Sequence, residues 1–182
     1  MEKIILVDKN DKVIGYDDKV KCHAGEGILH RAFTVFIFSA KNELLIQKRS
    51  GLKELWPLFW DSSCSSHPRK GETYEGSIKR RLKDEIGIDC ETRILGKFQY
   101  QEKYKNIGSE NEICAVASGI YTGEINPNPK EIAEWKWVNL NILKKDITKQ
   151  PDKYTPWFKI ALKKFPEIAP ILGEANPCFM SP

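Results

Sequence analysis

The stretch Gly71-Glu72-Thr73-Tyr74-Glu75-Gly76-Ser77-Ile78-Lys79-Arg80-Arg81-Leu82-Lys83-Asp84-Glu85-Ile86-Gly87-Ile88 decides the fold. Tyr74, Ile78, Leu82 and Ile86 recur at every fourth position, which lines them along one side of a helix. Thr73 is a suitable N-cap and Gly87 a suitable stop, so the pattern predicts a helix over 73–86. Arg81 and Glu85 lie one turn apart and share a face. On this pattern alone they read as a solvated ion pair.

Outward from the helix the periodicity changes. Ala32 to Ser39 and Glu43 to Lys48 are rich in β-branched and aromatic residues and predict paired strands across the turn Ala40-Lys41-Asn42. Ile4 to Val7 and Val13-Ile14 flank Asp8-Lys9-Asn10-Asp11 and predict a hairpin. Further strands are expected at Phe59 to Ser62, Ile94 to Tyr104, Glu112 to Tyr121 and Glu134 to Leu140. Helices are expected at 140–147 and 155–165, the second entered through Thr155-Pro156. Residues 17–29, 49–58 and 63–72 read as loops. The expected fold is a single mixed α/β domain over 1–165, with helices sandwiching the sheet, and a loosely packed proline-containing tail over 166–182.

Composition narrows the classes. A chain of 182 residues, 41% hydrophobic, can bury one core. Its net charge, 29 − 25 = +4, is too mild and too interspersed to mark a nucleic-acid surface. Its longest apolar run falls far short of the ~20 residues of a membrane span. The start, Met1-Glu2-Lys3-Ile4-Ile5-Leu6-Val7-Asp8, has too short an apolar core for a signal peptide. With five cysteines, an odd number, the expectation is free thiols in a reducing cytoplasm.

All three histidines, His23, His30 and His67, sit in or beside predicted loops, and imidazole is a common ligand for Zn, Mn and Fe. Glu110-Asn111-Glu112 places two carboxylates on one face if extended, at the head of the apolar run Ile113 to Val116. Such a pair is costly there unless compensated, as a metal would do; an exposed strand end is the plainer alternative.

The quoted helix resembles the Nudix helix: Arg80, Glu85, Gly87 and Ile88 match, and Glu72 fits the early acidic position. Arg81 and Asp84 stand where hydrolases of that family carry glutamates that hold Mg²⁺ against substrate phosphates. The ordered set His30-Arg31-Ala32-Phe33, Leu44-Leu45-Ile46-Gln47-Lys48-Arg49, Trp56-Pro57, Ser66-His67-Pro68, Glu110-Asn111-Glu112 and Tyr154-Thr155-Pro156-Trp157 resembles the type 1 isopentenyl-diphosphate isomerase family from about Ile4 to Phe165.

That resemblance implies a divalent ion (Mn²⁺, Zn²⁺ or Fe²⁺) on His23, His30, His67, Glu110 and Glu112, and Mg²⁺ between Glu85 and the substrate diphosphate. Lys19, Arg49, Lys53 and Arg81 match phosphate-binding positions, so a small isoprenoid diphosphate is the implied partner. Glu112 matches a proton-transfer carboxyl, Tyr100 the tyrosine that hydrogen-bonds it, and Trp157 an aromatic that stabilises a carbocation. Where the family usually carries a catalytic cysteine, and some members a serine, this chain has Ser65, with Cys64 one residue earlier. If this stretch is extended, alternation points Ser65 to the substrate and Cys64 into the core. A hydroxyl is a far weaker acid than a thiol of pKa about 8.5, so the exchange predicts a slower isomerase. A Nudix pyrophosphohydrolase and a diphosphate-binding relative without turnover are the competing readings.

Overall fold

A computed structural model describes residues 2–169. The chain opens with the hairpin β1 (Lys3–Val7) and β2 (Val13–Asp18), then α1 (Lys19–His23), β3 (His30–Phe38), β4 (Glu43–Arg49), β5 (Trp60–Asp61) and β6 (Cys64–Ser66). The quoted stretch forms α2 (Tyr74–Ile86), followed by β7 (Arg93–Tyr104), β8 (Gly108–Ile120), β9 (Ile132–Asn139), α3 (Leu140–Lys149), a 3₁₀ turn and α4 (Pro156–Lys164).

β3 is the hub of the sheet. It runs parallel to β8 along its whole length, with His30 opposite Glu112 and Phe38 opposite Ile120. Its other edge is shared by β1, through Leu6, by β6 and by β4, through Leu44. β7 extends the sheet beyond β8, and β9 pairs antiparallel with β4. The nine apolar-rich residues of β3 serve both faces: Phe33, Val35 and Ile37 meet Ile78, Leu82 and Ile86 of α2, whereas Ala32, Phe36 and Phe38 join Trp157, Phe158 and Ala161 of α4. Burying each large apolar side chain contributes about 1.5–3 kcal/mol, and the fourfold recurrence in α2 puts three of them on one seam.

The helix ends as its sequence predicts. Thr73 Oγ1 accepts from the Gly76 N–H at 3.1 Å. Gly87 is left-handed (φ 76°), and a Cβ there would stand 2.6 Å from the Asn126 carbonyl oxygen, so glycine is required on both counts.

Three expectations need correction. Residues 17–29 are not all loop: β2 extends to Asp18 and α1 occupies Lys19–His23. A five-residue helix carries no readable period and forms only through tertiary contacts. Residues 63–72 include strand β6, made of cysteine and serine, whose strand character comes from pairing with β3. β8 begins at Gly108, so Glu110 and Glu112 both lie within a strand. At the C-terminal end the core continues past Phe165, since Ile168 is buried; the rest of the proposed tail lies outside the described residues.

Candidate active site

Five ligand-bearing side chains converge at one end of the sheet. His30 and Glu112 face each other across β3 and β8, and Glu110 shares Glu112's side of its strand. His23 ends α1 and His67 follows β6. The approach of α1 depends on Gly108: a Cβ there would lie 2.5 Å from the His23 carbonyl oxygen. Ser109 Oγ donates to the Gly25 carbonyl (2.7 Å) and Asn111 Nδ2 to the Gly27 carbonyl (3.1 Å), tying the turn after α1 to β8.

One donor atom from each of His23, His30, His67, Glu110 and Glu112 lies within 4.8 Å of all the others. His23 Nδ1 and His30 Nδ1 are each 2.7 Å from a backbone carbonyl oxygen, of Lys19 and Ile28, which turns both Nε2 atoms inward. Among the described residues, His23 Nε2, His30 Nε2, His67 Nδ1 and Glu110 Oε2 are buried without a hydrogen-bond partner, although His23 Nε2 and Glu110 Oε2 stand 2.8 Å apart. Glu112 Oε1 lies 2.9 Å from His67 Nε2 and 3.5 Å from His30 Nε2. Orphaned buried donors of this type are costly unless an ion takes them up, so the cluster fits a divalent metal. Burial, with Lys19 and the other two histidines nearby, holds His67 well below its usual range. Burial also opposes charge on His23, but Glu110 and the Lys19 carbonyl outweigh it and raise its pKa.

Beside the cluster opens a pocket of about 320 Å³. Lys19, Lys53 and Arg81 line one part of it, and Ser65, Tyr100, Glu112 and Trp157 another. Lys19 is held below its usual pKa by burial and then by the Lys53 charge, which together outweigh the Glu2 and Glu110 carboxylates. Arg81 donates to Glu85 Oε1 (2.8 Å) and Glu131 Oε1 (3.1 Å), and Glu131 also binds Lys53. Glu85 is 1% exposed, so the Arg81–Glu85 pair is not the solvated pair of the plainer reading. Asp84 points away, half-exposed, toward Arg80.

Tyr100 donates to Glu112 Oε2 at 2.6 Å, and burial followed by the Glu112 charge raises its pKa well above the phenol range. Ser65 faces the pocket and Cys64 is fully buried against the α2 side, as strand alternation predicts. Arg49 lines the pocket, but two of its nitrogens donate to the carbonyls of Leu55 and Trp56. Trp56 and Leu58 adopt left-handed backbone conformations, and this strained loop is pinned by those bonds.

Three residues of the site lay outside the sequence reading. Asp61, fully buried, accepts hydrogen bonds from Trp157 and Ser65. Cys114 lines the pocket between Glu112 and the core. Glu131 gathers Lys53 and Arg81. Nothing in the local pattern marks Asp61 or Glu131, since both acquire their partners through tertiary contacts. Period-two alternation from Glu112 does put Cys114 on the same strand face.

A Nudix-type fold, carrying a histidine–carboxylate cluster next to a cation-lined pocket, is the class these features define. The chain belongs to the Nudix family, whose NUDIX domain matches residues 28–158, and within it to the isopentenyl-diphosphate isomerases. It is 40% identical over 161 residues to "Isopentenyl-diphosphate Delta-isomerase 1" of Photorhabdus laumondii, covering 87% of this chain and 92% of that protein. It is 32% identical over 173 residues to the "Isopentenyl-diphosphate Delta-isomerase" of Haloarcula marismortui, covering 90% of each. Among solved structures, a Deinococcus radiodurans protein superposes with a TM-score of 0.67 at 22% identity over 81% of this chain and 90% of that one. The MutT protein of Methanosarcina mazei Go1 does so with a TM-score of 0.63 at 19% identity over 76% and 94%. These two likenesses concern the fold alone.

Proposed function

We propose that this chain interconverts isopentenyl diphosphate and dimethylallyl diphosphate. The observation that carries the reading is one pocket with cations at one part and proton-transfer groups from both edges of β3 at another: Glu112 comes from β8 and Ser65 from β6. Lys19, Lys53 and Arg81 hold the diphosphate, Arg81 by its fork and the lysines as point charges. Arg49 adds positive charge at the pocket wall, with Nε and Nη2 on the Trp56 and Leu55 carbonyls and Nη1 beside Asp61. Glu85, on the same wall, would supply a carboxylate to the Mg²⁺ that accompanies the substrate.

His23, His30, His67, Glu110 and Glu112 would hold a divalent ion, Mn²⁺, Zn²⁺ or Fe²⁺, which would supply positive charge to neutralise the paired carboxylates. On one edge Glu112, oriented by Tyr100, exchanges a proton with the substrate. On the other edge Ser65 does so. Trp157, its indole N–H fixed on Asp61 and Ser65, offers its ring to the tertiary carbocation between the two transfers. The enclosing walls keep out water that would quench it.

Four of the five cysteines, Cys22, Cys64, Cys90 and Cys114, are free thiols, which supports a reducing cytoplasmic setting; Cys178 lies outside the described residues. No helix among the described residues is long and apolar enough to cross a membrane. The partner is a small diphosphate rather than nucleic acid. The test is incubation with isopentenyl diphosphate and Mg²⁺ in deuterated water. Deuterated dimethylallyl diphosphate is expected. Phosphate release would identify a hydrolase, and binding without either product a non-catalytic relative.

A further inference from the structure

Asp61 lies at the end of β5 with no exposed surface. Its Oδ1 accepts from the Ser62 N–H (2.7 Å), Trp157 Nε1 (2.8 Å), Thr155 Oγ1 (3.1 Å) and Ser65 Oγ (3.2 Å). Its Oδ2 has a single charged neighbour, Arg49 Nη1 at 3.4 Å. Ser65 Oγ in turn stands 3.0 Å from Ser62 Oγ and 3.1 Å from Thr34 Oγ1. A carboxylate at full burial is expensive. Here it sits directly behind the hydroxyl that faces the substrate, at the one position where this chain departs from the thiol of its family.

We propose that Asp61 is the positioning residue and proton acceptor behind Ser65, so that a hydroxyl–carboxylate relay stands in for a single ionisable side chain. The inference rests on the isomerase reading. When a proton leaves the substrate carbon, the C–H bond breaks and its electron pair becomes the new C=C bond. The proton passes to Ser65 Oγ while the proton Ser65 carried passes to Asp61 Oδ1. Protonation of the alkene runs the same path backward. Ser65 takes one proton as it gives another and carries no net charge at either end. Asp61 ends as the neutral acid, the form its burial favours against the pull of Arg49 and the surrounding donors.

The test compares kcat and KM for isopentenyl diphosphate in wild type, Asp61→Asn, Ser65→Ala, Ser65→Cys and the Asp61→Asn/Ser65→Cys double variant, with melting temperature and substrate-binding titration for each. Asp61→Asn is expected to lower kcat by at least about 100-fold, the range of a lost acid–base group, with KM nearly unchanged. In the Ser65→Cys background the same change is expected to cost less than about 10-fold, because a thiol of pKa about 8.5 ionises without help. A merely structural role would cost the same in both backgrounds; equal losses, or a loss in KM alone, overturn the relay. If Asp61→Asn fails to fold, the solvent deuterium isotope effect on kcat decides: a larger effect in wild type than in Ser65→Cys, from the extra proton that moves between Ser65 and Asp61, supports the relay, and equal effects remove it. An inactive wild type removes the isomerase reading and the relay with it, whereas an active wild type with equal losses removes the relay alone.

Discussion

Arg80 and Arg81 are neighbours in α2, yet they face opposite environments. Arg80 closes its fork on Glu72, Nε to Oε1 at 2.6 Å and Nη2 to Oε2 at 2.8 Å, with both side chains partly in solvent. Glu72 also accepts the Arg69 N–H, so this pair staples the incoming loop to the helix. Arg81 instead divides its charge between Glu85 and Glu131 at the pocket wall, and Glu85 has almost no exposure. One arginine completes a surface structure. The other is a cation on the pocket wall, to which the proposed function assigns a phosphate. The burial of the partner sets the difference, 1% exposure for Glu85 against 25% for Glu72, because a buried charge stripped of its partner costs several kcal/mol and a more exposed one little.

Changes on the pocket side are therefore expected to alter kinetics, and changes on the outer side only stability. The largest effect is expected at Glu112, which the proposed function places in both the metal cluster and the proton-transfer pair. Glu112→Gln should lower kcat by about 10²–10⁴-fold, and bound metal measured by elemental analysis should fall with it. Retained metal and turnover would break the contrast at its strongest point. Arg81→Ala comes next. Loss of a charged hydrogen-bond donor of about 1.5–3 kcal/mol should raise KM roughly 10- to 100-fold. Leaving Glu85 buried and unpaired should also lower the melting temperature. Arg81→Lys should recover less than half of the KM loss, in free-energy terms, because a point charge cannot serve two carboxylates or grip a phosphate as a fork does.

Glu131 sharpens the contrast through pH. Burial would raise its carboxyl, but Lys53 and Arg81 outweigh that and hold it at about 2, below the ordinary 4.5. A depressed carboxylate contributes stability that is complete above the unfolded value and is lost as pH falls toward the folded one. Wild type should therefore lose this increment between about pH 4.5 and 2, and Glu131→Gln should flatten the melting-temperature profile over that window. An unchanged profile would mean the two cations do not depend on Glu131.

What was legible in the sequence divides along the same line. The buried seam of α2 could be read because recurrence at 74, 78, 82 and 86 is local, and its ends because Thr73 and Gly87 act within one turn. The family resemblance grouped His23, His30 and His67 with Glu110 and Glu112. Period alone could not do so, since the cluster exists only through the β3–β8 pairing and the close approach at Gly108. Asp61 and Glu131 were invisible for the same reason: their partners lie on Trp157 and Arg81, distant in the chain. The helix α1 and strand β6 carry no pattern of their own, and their neighbours impose them.

The smallest effect is expected on the outer face. Arg80→Ala removes a bidentate but solvent-accessible pair, so its stability cost should stay near the surface range of about 0.2–1 kcal/mol. Two features push toward the upper end. The fork geometry is well formed, and Glu72 retains only its bond from the Arg69 N–H to hold the loop against the helix. Opposing this, Arg80 Nη1 is buried without a hydrogen-bond partner among the described residues, with Asp84 as far as 3.8 Å away, so its removal relieves one unmet donor. The net expectation is a small drop in chemical-denaturation midpoint with kcat and KM unchanged. A change in KM comparable to that of Arg81→Ala would show that the helix transmits the state of its outer face to the pocket, and the contrast between the two arginines would fail.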